Sequence, residues 1–245
     1  NLIKFRDQAL YPDGRETTLS GEEANLLYSP FEFISAIGAK VVFGGPVSRE
    51  LEGPEGAWDE IGIVEYPCPL AFFAMAAHPE FQARAVHKEA GVERSTVMVT
   101  YPSDLAAVVP NPEAFEASEA DPGFERVQVI RYQAEAQYGE DSAEPQRPGK
   151  AAMEIYDTLT AQVAADVGMT PRARLIVEGV FVGDGRVWDE VIIDAIPSGA
   201  ALGAFDSDPE VVAATFHRDA AIDEVNSVGV TPLFETAFPQ AIPGE

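Results

Sequence analysis

Cysteine is nearly missing. The single Cys68 leaves no partner for an intrachain disulfide and excludes an all-cysteine metal site. Three histidines, His78, His87 and His217, are too few for a histidine-rich centre. The acidic residues show none of the spacing of a calcium loop. No metal ligand set is expected. Positive charge is scarce as well: 16 Lys and Arg stand against 41 Asp and Glu, a formal net charge of −25, and lysine occurs only at 4, 40, 88 and 150. Such a chain lacks the basic surface that releases counterions from nucleic acid and is repelled by anionic membranes, so neither is expected as a partner. Long apolar runs are missing too. The longest, Pro69 to Ala77, is about half of the roughly 20 residues that span a bilayer. No signal-peptide pattern is present. The chain opens at Asn1 without Met, and residues 1–6 already read as a strand, so only a short upstream piece is expected to be missing. These absences suit a bacterial cytoplasmic protein. The acidic surface also suits a salt-rich source, because an acidic shell stays solvated when salt screens its repulsion.

What is present, first, is a repeat. Trp58-Asp59-Glu60 recurs as Trp188-Asp189-Glu190, an offset of 130. At that offset, residues 58–102 and 188–232 share 13 identities in 45 positions, among them Pro67/Pro197, Pro79-Glu80/Pro209-Glu210, His87/His217 and Pro102/Pro232. Lys88/Arg218 and Glu89/Asp219 add like-for-like pairs. Upstream, Lys4-Phe5 resembles Arg131-Tyr132 and Gly21–Tyr28 resembles Gly149–Tyr156. The sequence therefore divides into a first copy at 1–102, a proline-rich acidic linker at 103–126 with a possible helix at 113–120, and a second copy at 127–245.

Each copy reads as strand, helix, strand, strand, helix, strand. Ser20 and Glu23 form a capping box that opens a helix reaching about Ile37, with Pro30 as a potential kink and Gly38 as a stop. Ala39–Phe43 is a β-branched, apolar strand, and the Gly- and Pro-rich stretch 44–56 reads as a loop. Trp58–Tyr66 is the third strand. Residues 69–77 and 79–90 are helical, broken at His78-Pro79, and Val92–Tyr101 is the fourth strand. In the second copy the strands fall near 127–134, 172–182, 187–196 and 222–231, and the helices near 150–167 and 199–220. Gly183-Asp184-Gly185 reads as a hairpin turn.

A βαββαβ unit is a ferredoxin-like pattern: an antiparallel sheet with both helices on one face. Its other face needs a cover, and a second such unit supplies one. On Asn1–Arg6, Tyr11-Pro-Asp-Gly14, Ser20-Gly21, Trp58–Pro67, His78–Gln82 and Ala85-Val-His87, the first copy resembles the dimeric α/β-barrel superfamily, closest to a branch of small bacterial domains of unknown function. The second copy departs from it at Ile196, where the first has Tyr66. The resemblance implies an α+β fold, two tandem ferredoxin-like units packed sheet to sheet as an intrachain barrel. It implies a pocket but no reaction, because one fold hosts many functions.

Alternation along the third strand puts Ile61 and Ile63, matched by Val191 and Ile193, on one face, expected to pack on the helices. Trp58, Glu60, Gly62 and Val64 would then look into the barrel, where with Asn1 and Tyr28 they would suit a small organic ligand. The bland reading is that these residues fill the space between the sheets. Glu60 is the candidate base if burial raises its carboxyl. His87 is a second candidate catalytic group, since histidine titrates near neutrality. His87 and His217 both lie on inward helical stripes, so a shared architectural role competes. Trp58 and Trp188, at strand starts, also suit packing over a sheet edge. The site expectation is thus Glu60 and His87 as catalytic residues and Asn1, Tyr28 and Trp58 as ligand contacts, with no cofactor. A haem held by His217 is a weaker alternative, resting on position alone. The competing function is a non-enzymatic assembly protein, monomeric or homo-oligomeric.

Overall fold

The computed structural model describes residues 1–105, 110–111, 115–239 and 241. Its first half runs β1 (Leu2–Phe5), α1 (Gly21–Tyr28), α2 (Phe31–Ala36), β2 (Lys40–Glu52), β3 (Glu60–Glu65), α3 (Pro69–Ala76), α4 (Pro79–Gly91) and β4 (Val92–Pro102). The second half runs β5 (Phe124–Tyr132), α5 (Gly149–Asp166), β6 (Thr170–Val182), β7 (Glu190–Ile196), α6 (Gly199–Ser207), α7 (Pro209–Ala221), β8 (Ile222–Val230) and a short β9 (Phe234–Glu235). The breaks follow local chemistry. Ser20 accepts from the Glu23 N–H and Glu23 returns a bond to the Ser20 N–H. Ser29 in the left-handed region and Pro30 separate α1 from α2. Gly38, at φ +75°, ends α2. Pro79 and Pro209 open α4 and α7 at first-turn positions, where a missing N–H costs nothing. The expected helix at 199–220 is therefore two helices, divided at Asp208. The possible helix at 113–120 reaches into residues 112–114, outside the described residues, and 115–120 form none.

The strands run β3-β1-β4-β6-β7-β5-β8-β2, and β2 pairs again with β3, so eight antiparallel strands close into a ring; β9 adds to β2 as a ninth. This is the α+β dimeric α/β-barrel arrangement within one chain. The order β2-β3-β1-β4 in the first half equals β6-β7-β5-β8 in the second. The registers correspond as well: Pro46 faces Glu60 as Ile176 faces Glu190.

Two strands join the halves. The expected loop at 44–56 is mostly strand: β2 pairs with β3 as far as Pro46 and with β8 from Val47. Gly44, Gly45 and Pro46 mark the corner rather than a loop. A Cβ on Gly45 would stand 2.2 Å from the Thr231 carbonyl oxygen, so only glycine lets the two backbones approach. In the same way β6 pairs with β7 in its first part and with β4 from Leu175 onward.

The ring encloses a core to which strands from both halves contribute and helices contribute nothing. Leu2, Phe43, Trp58, Ile61, Val127, Val129, Leu175, Trp188, Val191, Ile193 and Val230 are buried there. An eight-stranded barrel is just wide enough for side chains to fill. This reverses the expected faces of β3 and β7: Ile61, Ile63, Val191 and Ile193 point into the barrel. The other face meets the helices, Val64 with Phe33, Met75 and Phe81, and Ile192 with Ala152, Met153 and Ala220. Both faces of such a strand are covered by apolar groups, so alternation alone carries no sign. Glu60 stands on the helix-facing side, in line with Ile3 and Ser95.

The segment before β5 is anchored. Asp121 accepts from the N–H groups of Gly199 and Ala200 at the start of α6 (2.8 and 2.9 Å) and pairs with Arg49 at 3.0 Å. Those bonds hold its carboxyl below the usual carboxylate range.

Candidate functional site

The residues singled out from the sequence divide into three places. Tyr28, the last residue of α1, and Glu60, the first of β3, both face Lys88 on α4. The Lys88 ammonium is 5.7 Å from the Tyr28 ring centre. Burial raises the Glu60 carboxyl, the charge of Glu22 raises it further, and Lys88 opposes both. Burial lowers the Lys88 ammonium, against the pull of Glu60. Burial also raises the Tyr28 and Tyr66 phenols. Asn1 is part of the sheet ladder, its side-chain amide 3.4 Å from the Gly62 carbonyl oxygen.

His87 turns away from this group. Its Nδ1 is 2.7 Å from the Tyr11 hydroxyl. The second half repeats the pair: Tyr138 meets His217 Nδ1 at 2.7 Å. A loop phenol satisfies each imidazole. His217 is 5% exposed, and the Phe216 ring lies 4.0 Å from its own. With one edge on Tyr138 and one face on Phe216, these surroundings do not fit a haem. Among the described residues no three His, Cys, Asp or Glu side chains converge on a metal position.

Trp58 lies at a third place, 4% exposed, with the Arg94 guanidinium 5.3 Å from its ring. It packs in the barrel core, and among the described residues its indole N–H has no hydrogen-bond partner. It also borders a cleft of about 610 Å³ between α4, the first residues of β4 and the hairpin tip at Val182–Asp184. The pairing of β4 with β6 begins only at Val97, which leaves this opening. Arg6, Lys88, Arg94, Ser95 and Thr96 contribute polar groups; Glu89, Glu93 and Asp184 also border it. A smaller cleft of about 280 Å³ lies by Arg49, Glu50 and Asp59.

Charge pairing distinguishes the larger cleft. Of the 16 basic residues, 13 have a carboxylate oxygen within 4.0 Å. Among the described residues the three without one are Arg6, Lys40 and Lys88. Lys40 is exposed to water. Arg6 and Lys88 border the same cleft, and the Arg6 Nε is buried without a hydrogen-bond partner. In the matched region of the second half the charges are paired instead. Glu190, 1% exposed, accepts from the Tyr132 hydroxyl at 2.5 Å and has Arg174 and Lys150 at 3.7 and 3.8 Å. Arg174 is bonded to Asp157 on α5, and Arg218, at the position matching Lys88, to Glu52. Sequence reasoning missed Arg6 and Lys88 as site residues. The available signal was scarcity, since a chain with four lysines that places one on an inward helix face makes it conspicuous.

No family model matches the chain, and no curated protein matches it. Several solved structures are similar. A protein of unknown function from Rhodopseudomonas palustris is 21% identical over 49% of this chain and 97% of its own, with a TM-score of 0.42. An anthrone oxidase-like protein is 15% identical over 88% of each chain, with a TM-score of 0.46. A candidate monooxygenase from Lactobacillus acidophilus is 11% identical over 88% of this chain and 90% of its own, with a TM-score of 0.39. The closed strand order carries the fold.

Proposed function

We propose that the chain binds a small organic anion in the cleft beside β4, and that it is a tandem duplication of one half-barrel in which the first copy keeps an open site. The observation that carries the binding reading is the unpaired state of Arg6 and Lys88 in a chain of net charge −25. Arg6 has no carboxylate within 4.0 Å and Lys88 has only the more distant Glu60, so a carboxylate-bearing ligand would supply two or three charge-assisted hydrogen bonds to partly buried cations. Trp58 and Val92 offer it an apolar wall. Glu89, Glu93 and Asp184 at the border disfavour a large polyanion. Glu60, facing Lys88 from the sheet, is the group placed to exchange a proton with it. The repeated Tyr–His pair gives His87 an architectural role. The duplication is supported by the 13 identities at one offset and by the equal strand orders.

Calorimetric titration with malonate, and with its neutral diamide as control, tests the binding. Malonate should bind and the diamide should not. Arg6→Gln should weaken malonate by roughly 10- to 100-fold, the worth of a hydrogen bond to a charged group. Equal affinity for the two compounds, or indifference to Arg6→Gln, would refute the reading. A non-enzymatic assembly protein is favoured by one other observation, the exposed strip of Leu70, Phe73, Phe181 and Val182. Concentration-dependent oligomers that dissociate on Phe73→Ser would support it.

A further inference from the structure

We infer that Lys88 is a carbonyl-condensing amine, so that the anion taken by the cleft is a short oxo acid, a carboxylate carrying an aldehyde or ketone. This rests on the anion-binding reading and adds chemistry to it. Three observations lead there. Lys88 has no hydrogen bond and no carboxylate within 4.0 Å among the described residues, and it borders a cleft wide enough for a small molecule. Arg6 borders the same cleft with its own charge unmet, which gives the carboxylate of such a ligand a place while its carbonyl meets the amine. The matched position in the second half is Arg218, which is tied to Glu52 and cannot condense with a carbonyl. The first half alone joins a nucleophilic amine to an open cleft.

The surroundings suit an amine that must lose its proton. Tyr28 and Glu60 face Lys88 from α1 and β3, and Arg6, Glu89, Glu93, Arg94 and Asp184 border the same space. Burial favours the neutral amine, as in other lysines that form Schiff bases. The neutral nitrogen attacks the carbonyl carbon, a C–N bond forms, and the carbonyl π pair moves to oxygen. A proton passes from nitrogen to that oxygen, giving the carbinolamine. The hydroxyl then takes a proton from solvent and leaves as water, and the nitrogen lone pair forms the C=N bond of the iminium. Per event one proton is taken up and one water is released, with no oxidation or reduction.

The small number of lysines makes a direct test possible. The protein is incubated with glyoxylate and sodium cyanoborohydride, which reduces an iminium to a stable carboxymethyl amine. Digestion and mass spectrometry then give the extent of modification at Lys4, Lys40, Lys88 and Lys150. The expected result near neutral pH is modification concentrated at Lys88, severalfold above the exposed Lys40, because burial lowers the Lys88 ammonium and leaves more of its amine neutral. Excess malonate should suppress the modification at Lys88 and leave Lys40 unchanged. Lys88→Arg should give no adduct at this position while retaining measurable malonate binding. Modification that follows exposure, with Lys40 foremost and Lys88 minor, overturns the lysine chemistry; if malonate still binds, the anion reading survives that result. If malonate neither binds nor protects Lys88, both readings fall.

Discussion

Replacing Tyr132 by Phe removes one oxygen atom and should cost more than almost any other conservative change. The matched residue of the first half is Phe5, so the ring itself is compatible with the position. What differs is the neighbour. Glu190 is 1% exposed, its Oε1 has no hydrogen-bond partner, and the Tyr132 hydroxyl at 2.5 Å is the one hydrogen bond its carboxylate accepts among the described residues. Arg174 and Lys150, at 3.7 and 3.8 Å, supply charge but no hydrogen bond. Deleting the hydroxyl leaves a buried carboxylate with no donor. The expected loss is about 2–3 kcal/mol, the upper part of the range for hydrogen bonds to charged groups. In a chain of this length that lowers the melting temperature by roughly 4–12 °C. Urea unfolding of Tyr132→Phe, Glu190→Gln and the double variant measures it, and the double-mutant cycle should show a coupling of about 1 kcal/mol or more. A loss below about 0.5 kcal/mol, the level of an ordinary surface change, would show that Glu190 does not depend on the phenol.

Burial pushes Glu125 up to about 7, Arg172 opposes and Glu235 adds to the rise. The folded state therefore holds a proton that the unfolded chain has released, and stability at this site declines as pH rises from about 4.5 to about 7 and is flat above. Glu125→Gln should remove on the order of 1–2 kcal/mol of that slope, read as the difference between variant and parent in urea midpoints across the range. Gly45→Ala places a Cβ 2.2 Å from the Thr231 oxygen and should open the seam between β2 and the segment after β8, at a cost of roughly 3 kcal/mol or more in thermal unfolding. Tyr11→Phe and Tyr138→Phe each remove a 2.7 Å bond to a histidine and should cost about 1 kcal/mol apiece. Unequal losses, with only Tyr11→Phe affecting ligand binding, would return His87 to the site.

Much of the fold was legible because it rests on local rules. Ser20 and Glu23 cap a helix, Pro79 and Pro209 open helices, and the shared Trp-Asp-Glu begins two equivalent strands. The length of β2 was not legible. Gly44, Gly45 and Pro46 carry the signals of a loop, and only the distant carbonyl of Thr231 shows why glycine is needed inside a strand. The facing of β3 and β7 was hidden for another reason. Ile61 and Val64 both meet apolar partners, one in the barrel and one under the helices, so hydrophobicity does not tell inside from outside. The proposed site was legible only in where Tyr28 and Glu60 lie. Tyr28 and Glu60 do come together, but around Lys88, and Arg6 joins them only because β1 and α4 end at the same rim. Pairing of charges across distant segments leaves no trace in spacing. The two unmatched cations at the cleft become visible only when the others, the exposed Lys40 excepted, have found their acids.

The shared strands also set a timetable for synthesis. Val47–Glu52 of β2 find their partners in Ser227–Val230, some 180 residues later in the chain. Until the ribosome has delivered Ser227–Val230, that edge stays open as a template for any other unpaired strand. A shortened product ending before residue 227 would keep every residue of the first half and still lack the partner that closes it, which makes premature termination, more than point substitution, the hazard to which this architecture is exposed.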